Sequence, residues 1–267
     1  MMVRIRFCKY GVLKFIGHLD TMRFFQKAIR RAGLDVVYSQ GFSPHQIMSF
    51  ASPLGVGITS DAEYLDVELH TCGEPEEMMA QLNAVMVEGI EVTGVKVLPE
   101  PLPNQRRETA MSLVAAADYL VSFKDGYDFA MDRETFEKAF AAFLASASIP
   151  VMKKSKKTER EMDIRPWIYA YAFPGAEAYP ESHAERYENG IRVFLQLSAG
   201  SSVNIKPELV IEAFCESTGL EYNEFAWQIH RLEVYQDTAL SGLTRMQIDE
   251  CVRTQTLPER KLVGLIG

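Results

Sequence analysis

The chain has 267 residues, 47% of them hydrophobic and 24% charged, with a net charge of −8. This is the composition of an ordinary globular protein, with length enough for one large domain or two small ones. No apolar run approaches the ~18 residues that cross a bilayer, and the opening Met1-Met2-Val3-Arg4-Ile5-Arg6 lacks the apolar stretch of a signal peptide, so a cytoplasmic protein with no membrane span is expected.

From Val3 to Phe7 apolar and basic residues alternate with period two, the pattern of a half-buried strand. Leu19 to Ala32 carries apolar residues at 19, 22, 25, 29 and 32, with Asp20 in its first turn, Arg30 and Arg31 in its last and Gly33 as a stop, which predicts a helix. Val36 to Ser39 and Ile47 to Phe50 read as short strands around Gly41-Phe42-Ser43-Pro44-His45, and Glu63 to Leu69 as a strand with Leu65, Val67 and Leu69 on one face. Glu74 to Val87 reads as a helix with Pro75 in its opening turn and Gly89 closing it, and Glu91 to Leu98 as a strand. The resulting order, β-α-β-β-α-β, is the ferredoxin-like split βαβ arrangement.

Pro99-Glu100-Pro101-Leu102-Pro103-Asn104-Gln105-Arg106-Arg107 is too rich in proline to continue either element and reads as a semi-rigid linker. Beyond it Tyr119 to Lys124 is a strand, and Arg133 to Ala145 a helix with Asp132 as N-cap and Phe136, Ala139, Phe140 and Phe143 as its apolar stripe. Ile149 to Phe173 reads as one or two strands carrying a Lys run, and Pro174 to Asn189 as a long mobile connection. Ile191 to Leu197 is an alternating strand, Pro207 to Thr218 a helix stopped by Gly219, and Phe225 to Tyr235 a strand whose alternation slips between Ile229 and Leu232. The expected fold is therefore α+β: tandem ferredoxin-like (βαββαβ) units at residues 1–98 and 112–237, a Pro-rich linker at 99–111, and a short C-terminal extension at 238–267. Apolar residues at 243, 246 and 248 suit a terminal helix packed on the body or on a partner.

Charge is distributed unevenly. Residues 1–60 hold eight Lys/Arg against Asp20 and Asp35, about +6, which leaves about −14 on the rest. A second basic run, Lys153-Lys154-Ser155-Lys156-Lys157 with Arg160 and Arg165, lies in the other half. Two basic regions on an acidic body suit a polyanion held at one face, against the alternative of solvated loops.

Among the polar residues of the first half, His18 follows Gly17 at the start of a helix. There it serves as a cap or turn residue, or as a general base, nucleophile orienter or phosphate donor. His45 lies on the Gly41-Phe42-Ser43-Pro44 turn, and the two histidines share a site only if that hairpin folds back. Arg23, Lys27 and Arg30 fall on one helical face and, with Lys9 and Lys14, form a candidate phosphate track, for which Phe15, Tyr38 and Phe42 supply stacking surfaces. Ala199 to Pro207, a Gly/Ser loop before a helix, lacks the Gly-Lys-Ser/Thr ending of a Walker loop and reads as a plain connection or an anion site. Asp163-Ile164-Arg165-Pro166-Trp167 offers either a phosphate donor with an aromatic neighbour or a strand start held by an Asp/Arg pair. No GxGxxG, HExxH, GxSxG or EF-hand pattern occurs, and Cys8, Cys72, Cys215 and Cys251 form neither a CxxC spacing nor a cluster-binding triplet, so no cofactor and no metal are expected.

Several segments stand together: Phe7-Cys8-Lys9-Tyr10-Gly11, Leu13-Lys14-Phe15-Ile16-Gly17-His18-Leu19-Asp20 with Arg23, Tyr38-Ser39-Gln40-Gly41-Phe42-Ser43-Pro44-His45, Ile47-Met48-Ser49-Phe50-Ala51, Pro53-Leu54-Gly55-Val56-Gly57, Glu63-Tyr64-Leu65-Asp66 and Asp163-Ile164-Arg165-Pro166. In these the chain resembles the bacterial radical-SAM-linked proteins, a domain of unknown function also found fused to radical SAM enzymes. Gly17 stands where many relatives have Ser, and Gln46 where a positive or small residue is common. The resemblance implies a radical SAM protein as partner and the company of ribosome and RNA-processing functions, but no reaction. The tandem layout also looks like the CRISPR repeat-processing endoribonucleases, which bind RNA on paired domains of this kind and use a His near the start of their first helix. That is a similarity of architecture only.

The leading expectation is a module that binds tRNA or rRNA and presents it to a radical SAM modifying enzyme. Lys14, Arg23, Lys27, Arg30, Lys154, Lys157 and Arg165 would contact phosphate, and His18, Phe42 and His45 would form the inner site. The alternatives are a metal-independent endoribonuclease in which His18 removes the 2′-hydroxyl proton, and a protein-interaction scaffold with no nucleic acid.

Overall fold

The computed structural model of the protein describes all residues except 104–106, 155–158, 183, 202, 241, 242, 244, 255, 257, 258 and 267. Its class is α+β, with a large, mostly antiparallel sheet and several helices. The chain divides into two compact units. The first comprises Met1–Ala116, Gly200–Ser202 and Glu233–Gly267, and the second Ala117–Ala199 and Val203–Leu232.

The first unit follows the alternations of the sequence. Strand β1 (Met2–Lys9) is followed by a 3-10 turn at Gly11–Phe15, helix α1 (His18–Arg31), β2 (Met48–Ala51), β3 (Thr59–Glu68), α2 (Pro75–Asn83), β4 (Ile90–Val97) and a single helical turn, α3 (Ala110–Leu113). The strands lie in the order β4-β1-β3-β2, and each neighbouring pair is antiparallel. Period two in β1 sends Val3, Ile5 and Phe7 to one face, where they are buried with Phe25 and Ile29 of α1, Met78 and Leu82 of α2, and Leu65 and Val67 of β3. The Phe7 and Phe25 rings meet with centroids 4.6 Å apart.

The basic residues that alternate with this stripe are not on a solvated face. Arg4 and Asp66, only 3% and 2% exposed, form a two-pronged pair at 2.8 and 3.1 Å, and Arg4 also donates to the Leu265 carbonyl at 3.2 Å. Asp66 in turn accepts from the Ala110 amide at 2.6 Å, at the start of α3. Arg6 donates to Glu233 at 3.1 Å and to Thr93 at 2.9 Å, and the Tyr64 hydroxyl donates to the same Glu233 at 2.6 Å. Lys9 is buried as well. Two of the eight cations in residues 1–60, Arg4 and Lys9, are therefore buried and a third, Arg6, is half-buried in its pair with Glu233, so the expected phosphate track loses Lys9.

The second unit runs from within β5 (Val114–Phe123) through α4 (Arg133–Leu144), β6 (Pro150–Lys154), β7 (Glu159–Asp163), a 3-10 turn at Arg165–Trp167, β8 (Ile168–Ala172), β9 (Arg192–Ser198), α5 (Pro207–Thr218) and a 3-10 turn at Glu224–Ala226 into β10 (Trp227–Asp237). Its sheet order is β10-β5-β9-β8, with β6 and β7 as a separate antiparallel hairpin. The Asp132 side chain accepts from the Thr135 amide and starts α4, and Gly219 ends α5 in the left-handed region at φ 70°. The core is aromatic: Phe136 of α4 packs within 6.3 Å, centroid to centroid, of Phe140, Phe214, Trp227 and Phe173.

Two expectations are corrected. Val36 to Ser39 forms no strand; it makes isolated bridges, Val36 with Leu69 and Tyr38 with Gln46, because alternate residues turn to different partners and no two consecutive bridges form. Ile149 to Phe173 holds three strands rather than one or two, because Asp163 accepts from the Ile149 and Arg165 amides and turns the chain between β7 and β8. The slipped alternation in β10 has a simple cause: Trp227 to Arg231 are all buried, so both faces of the strand are covered. The C-terminal segment contributes α6 (Arg245–Thr254) and β11 (Leu262–Gly264), which pairs with β10.

Candidate nucleic-acid interface

The segment between β1 and α1 is held from both sides. The Tyr10 amide donates to the Gly89 carbonyl at 2.9 Å, and the Gly57 amide to the Lys14 carbonyl at 2.7 Å. Gly89 has φ 94°, and a Cβ there would lie 2.8 Å from the Tyr10 carbonyl, so only glycine permits this approach. The clamp leaves Val12, Phe15 and Val56 outward, 78%, 65% and 63% exposed, and sets the Lys14 ammonium 5.6 Å from the Phe15 ring centroid.

Gly17 is the N-cap of α1 and His18 its first residue. No side chain caps the helix, so its leading amides point outward beside the imidazole. The His18 ring stands edge-on to Phe50, centroids 5.2 Å apart, and Phe50 packs in turn on Phe7 and Phe25. His18 is thereby oriented by the core rather than by a polar partner. Along α1, Arg23, Lys27 and Arg30 are exposed; Arg23 pairs with Asp20 at 3.2 Å, one turn back.

The 36–46 segment docks on this helix through one carbonyl. Gln26 O accepts from the Gln46 side-chain amide at 3.0 Å and from Arg30 Nε at 3.4 Å, and the Gln46 amide also reaches the Tyr38 hydroxyl at 3.4 Å. Because the Gln46 nitrogen must face that carbonyl, its oxygen is fixed as an acceptor, and this buried oxygen has no hydrogen-bond partner among the described residues. The loop tip closes on itself: Ser39 Oγ accepts from the His45 amide at 3.1 Å and lies 2.9 Å from His45 Nδ1. Phe42, at the tip, is fully exposed. His18 and His45 thus have different anchors, Phe50 and Ser39.

A family model described as an uncharacterized protein conserved in bacteria, DUF2344, matches residues 2–207. The chain belongs to that family. No curated protein matches it. A solved structure, described as that of an unknown protein from Galdieria sulphuraria, is 12% identical over 86% of this chain and 95% of that one, with a TM-score of 0.23, below what a shared fold requires. The DUF2344 match takes in every residue of the face just described and ends at the first residue of α5.

The other candidates of this DUF2344 chain lie in the second unit. Lys157 is outside the described residues, as is the Lys154 side chain, although the Lys154 backbone pairs with Glu159 in the β6–β7 hairpin. Arg165 donates from Nε to the Leu144 carbonyl at 2.6 Å and from Nη1 to the Ile168 carbonyl at 3.2 Å, bracing the turn from α4 to β8. Burial raises the Asp163 carboxyl, but the Ile149 and Arg165 amides outweigh it and hold the group below the ordinary carboxylate range. Gly200, which belongs to the first unit, is fixed by packing, since a Cβ there would overlap the Val114 carbonyl.

Cys8 is a poor nucleophile. Burial pushes its thiol up to about 11, and Sγ lies 3.3 Å from the Asp61 carbonyl. Among the described residues no three or more His, Cys, Asp or Glu side chains are grouped to hold a metal ion, and no helix is long and apolar enough to cross a membrane. Sequence reasoning missed the docking of Gln46 on α1, and the Arg6, Tyr64 and Glu233 triad. The first is marked only by a buried unpaired atom, and the second joins residues 227 positions apart.

Proposed function

We propose that the face built from the 10–17 segment, α1 and the 38–46 loop binds RNA, and that the protein presents tRNA or rRNA to a radical SAM modifying enzyme. The observation that carries the reading is the pairing of two outward aromatic rings, Phe42 fully exposed and Phe15 65% exposed, with the cations Lys14, Arg23, Lys27 and Arg30. Rings held out in water at the tips of braced loops are what unpaired bases stack on, and a row of cations one helical turn apart is what a phosphate backbone follows. The uncapped amides of α1, beside His18 and Lys14, add donors for a phosphate oxygen. His45, exposed on the loop, supplies ring nitrogens of the kind that read base edges. Arg165 is left out because two of its nitrogens already serve carbonyls.

Two further parts belong to the same reading. Both units are taken as ferredoxin-like, the strand order β10-β5-β9-β8 repeating β4-β1-β3-β2, with the β6–β7 hairpin inserted in the second. The radical SAM partner rests on the sequence resemblance alone. Crosslinking in cells, followed by sequencing of bound RNA and mass spectrometry of bound proteins, tests the whole. A defined RNA together with a radical SAM protein is expected. RNA ends that disappear in His18→Ala would instead identify a nuclease, and recovery of no RNA would leave a protein scaffold.

A further inference from the structure

Outside that face, the second unit carries a cleft of about 350 Å³ between the β6–β7 hairpin and α5, lined among the described residues by side chains of those two elements. Helix α5 turns two faces to two environments. Val210, Ile211 and Phe214 enter the core, while Leu209, Glu212, Ala213 and Glu216, at i, i+3, i+4 and i+7, line the cleft. Across from them, Met152 and Glu161 are register partners on the hairpin, so their side chains leave the same face. The floor is apolar (Val151, Met152, Leu209, Ala213), and Met152 is 53% exposed. The rim is acidic, formed by Glu161, Glu212 and Glu216, none of which has an ion-pair partner among the described residues.

The charge on α5 is unfavourable to the helix that bears it. Glu208, Glu212 and Glu216 repeat at i, i+4, where like charges repel, and Glu216 stands in the last turn, where the helix dipole disfavours an anion. From Pro207 to His230 the chain has five Glu and no Lys or Arg to compensate. The field reaches neighbouring groups: burial raises the Tyr222 hydroxyl, and Glu208, Glu212 and Glu224 raise it further. An apolar floor with Glu161, Glu212 and Glu216 at its rim is complementary to a cationic amphipathic segment.

We propose that this cleft is a docking site for a basic amphipathic helix of a protein partner, which seats an apolar side chain on Met152 and Ala213 and pairs Lys or Arg residues one turn apart with Glu212 and Glu216. The repeat of the two glutamates along α5 sets the cationic spacing at i, i+4 on a helix lying along it. This surface is independent of the RNA-binding reading, and the failure of either leaves the other standing.

The test uses the full chain and a fluorescent peptide of ~14 residues, long enough for a helical apolar stripe flanked by lysines at i, i+4. Its controls are a scrambled peptide of the same composition and one with Glu in place of Lys. Saturable anisotropy change is expected with the patterned peptide, weakened at least about tenfold in Glu212→Lys/Glu216→Lys and regained there with the Glu-bearing peptide. Met152→Arg, on the other wall, should weaken binding independently; circular dichroism and thermal melting check that each variant is folded. Equal binding of the scrambled peptide, displacement by spermidine at equal concentration, unchanged affinity in the charge-reversed chain, or no saturable binding at millimolar peptide would each overturn the proposal.

Discussion

Truncating Phe42 removes a ring that touches water on every side, so Phe42→Ala should leave stability within about 0.5 kcal/mol of wild type in urea titrations. RNA affinity should fall by about 1–3 kcal/mol in the same variant, the worth of one stacked base, and equal affinity would remove Phe42 from the interface. Arg4 and Asp66 sit at the opposite extreme. Asp66→Ala strands a guanidinium that is 3% exposed and frees the Ala110 amide, so a loss of about 3–5 kcal/mol is expected by denaturant titration. Cys8 gives a chemical readout. With its thiol raised to about 11, only about 1 part in 10⁴ is thiolate at pH 7, so iodoacetamide should modify Cys8 very slowly in the native protein. Fast native-state alkylation, located by mass spectrometry, would mean the strand is more open than its burial implies.

Among elements, those written in local sequence were legible and those completed at a distance were not. Pro207 to Thr218 reads as a helix from its apolar stripe and the following Gly219, and α5 has those bounds. β1 was readable as a strand, but not the destination of its cations: the Arg4 and Arg6 partners lie 62 and 227 positions away, where period-two patterning carries no information. Gly41 to His45 was legible as a turn, whereas the docking of Gln46 on Gln26 depends on how α1 packs. The turn between β7 and β8 offers a pH test. The folded Asp163 carboxyl is held below its unfolded value, so its contribution is fully present above the unfolded value and lost as pH falls through the folded one. Asp163→Asn should therefore flatten the acid limb of the stability profile while leaving the slope at neutral pH unchanged, as followed by melting temperature against pH. An acid limb identical to wild type would remove Asp163 as its source.

At the scale of the whole molecule, net charge is a poor guide to partners. The total of −8 disguises an N-terminal basic face and an anionic helix in the second unit, and these call for opposite ligands. Burial then sharpens the basic face, since Arg4 and Lys9 are buried and Arg6 is paired with Glu233, and the outward cations are those of the 10–17 segment and α1. The most direct measurement is RNA affinity across a series of salt concentrations for the wild type and for Arg23→Glu/Lys27→Glu. Each lost phosphate contact on a single strand lowers the slope of log K against log salt by about 0.7, so the double variant should bind more weakly with a slope shallower by about 1.4. An unchanged slope, or no RNA binding by the wild type at the lowest salt, would contradict an RNA interface on α1.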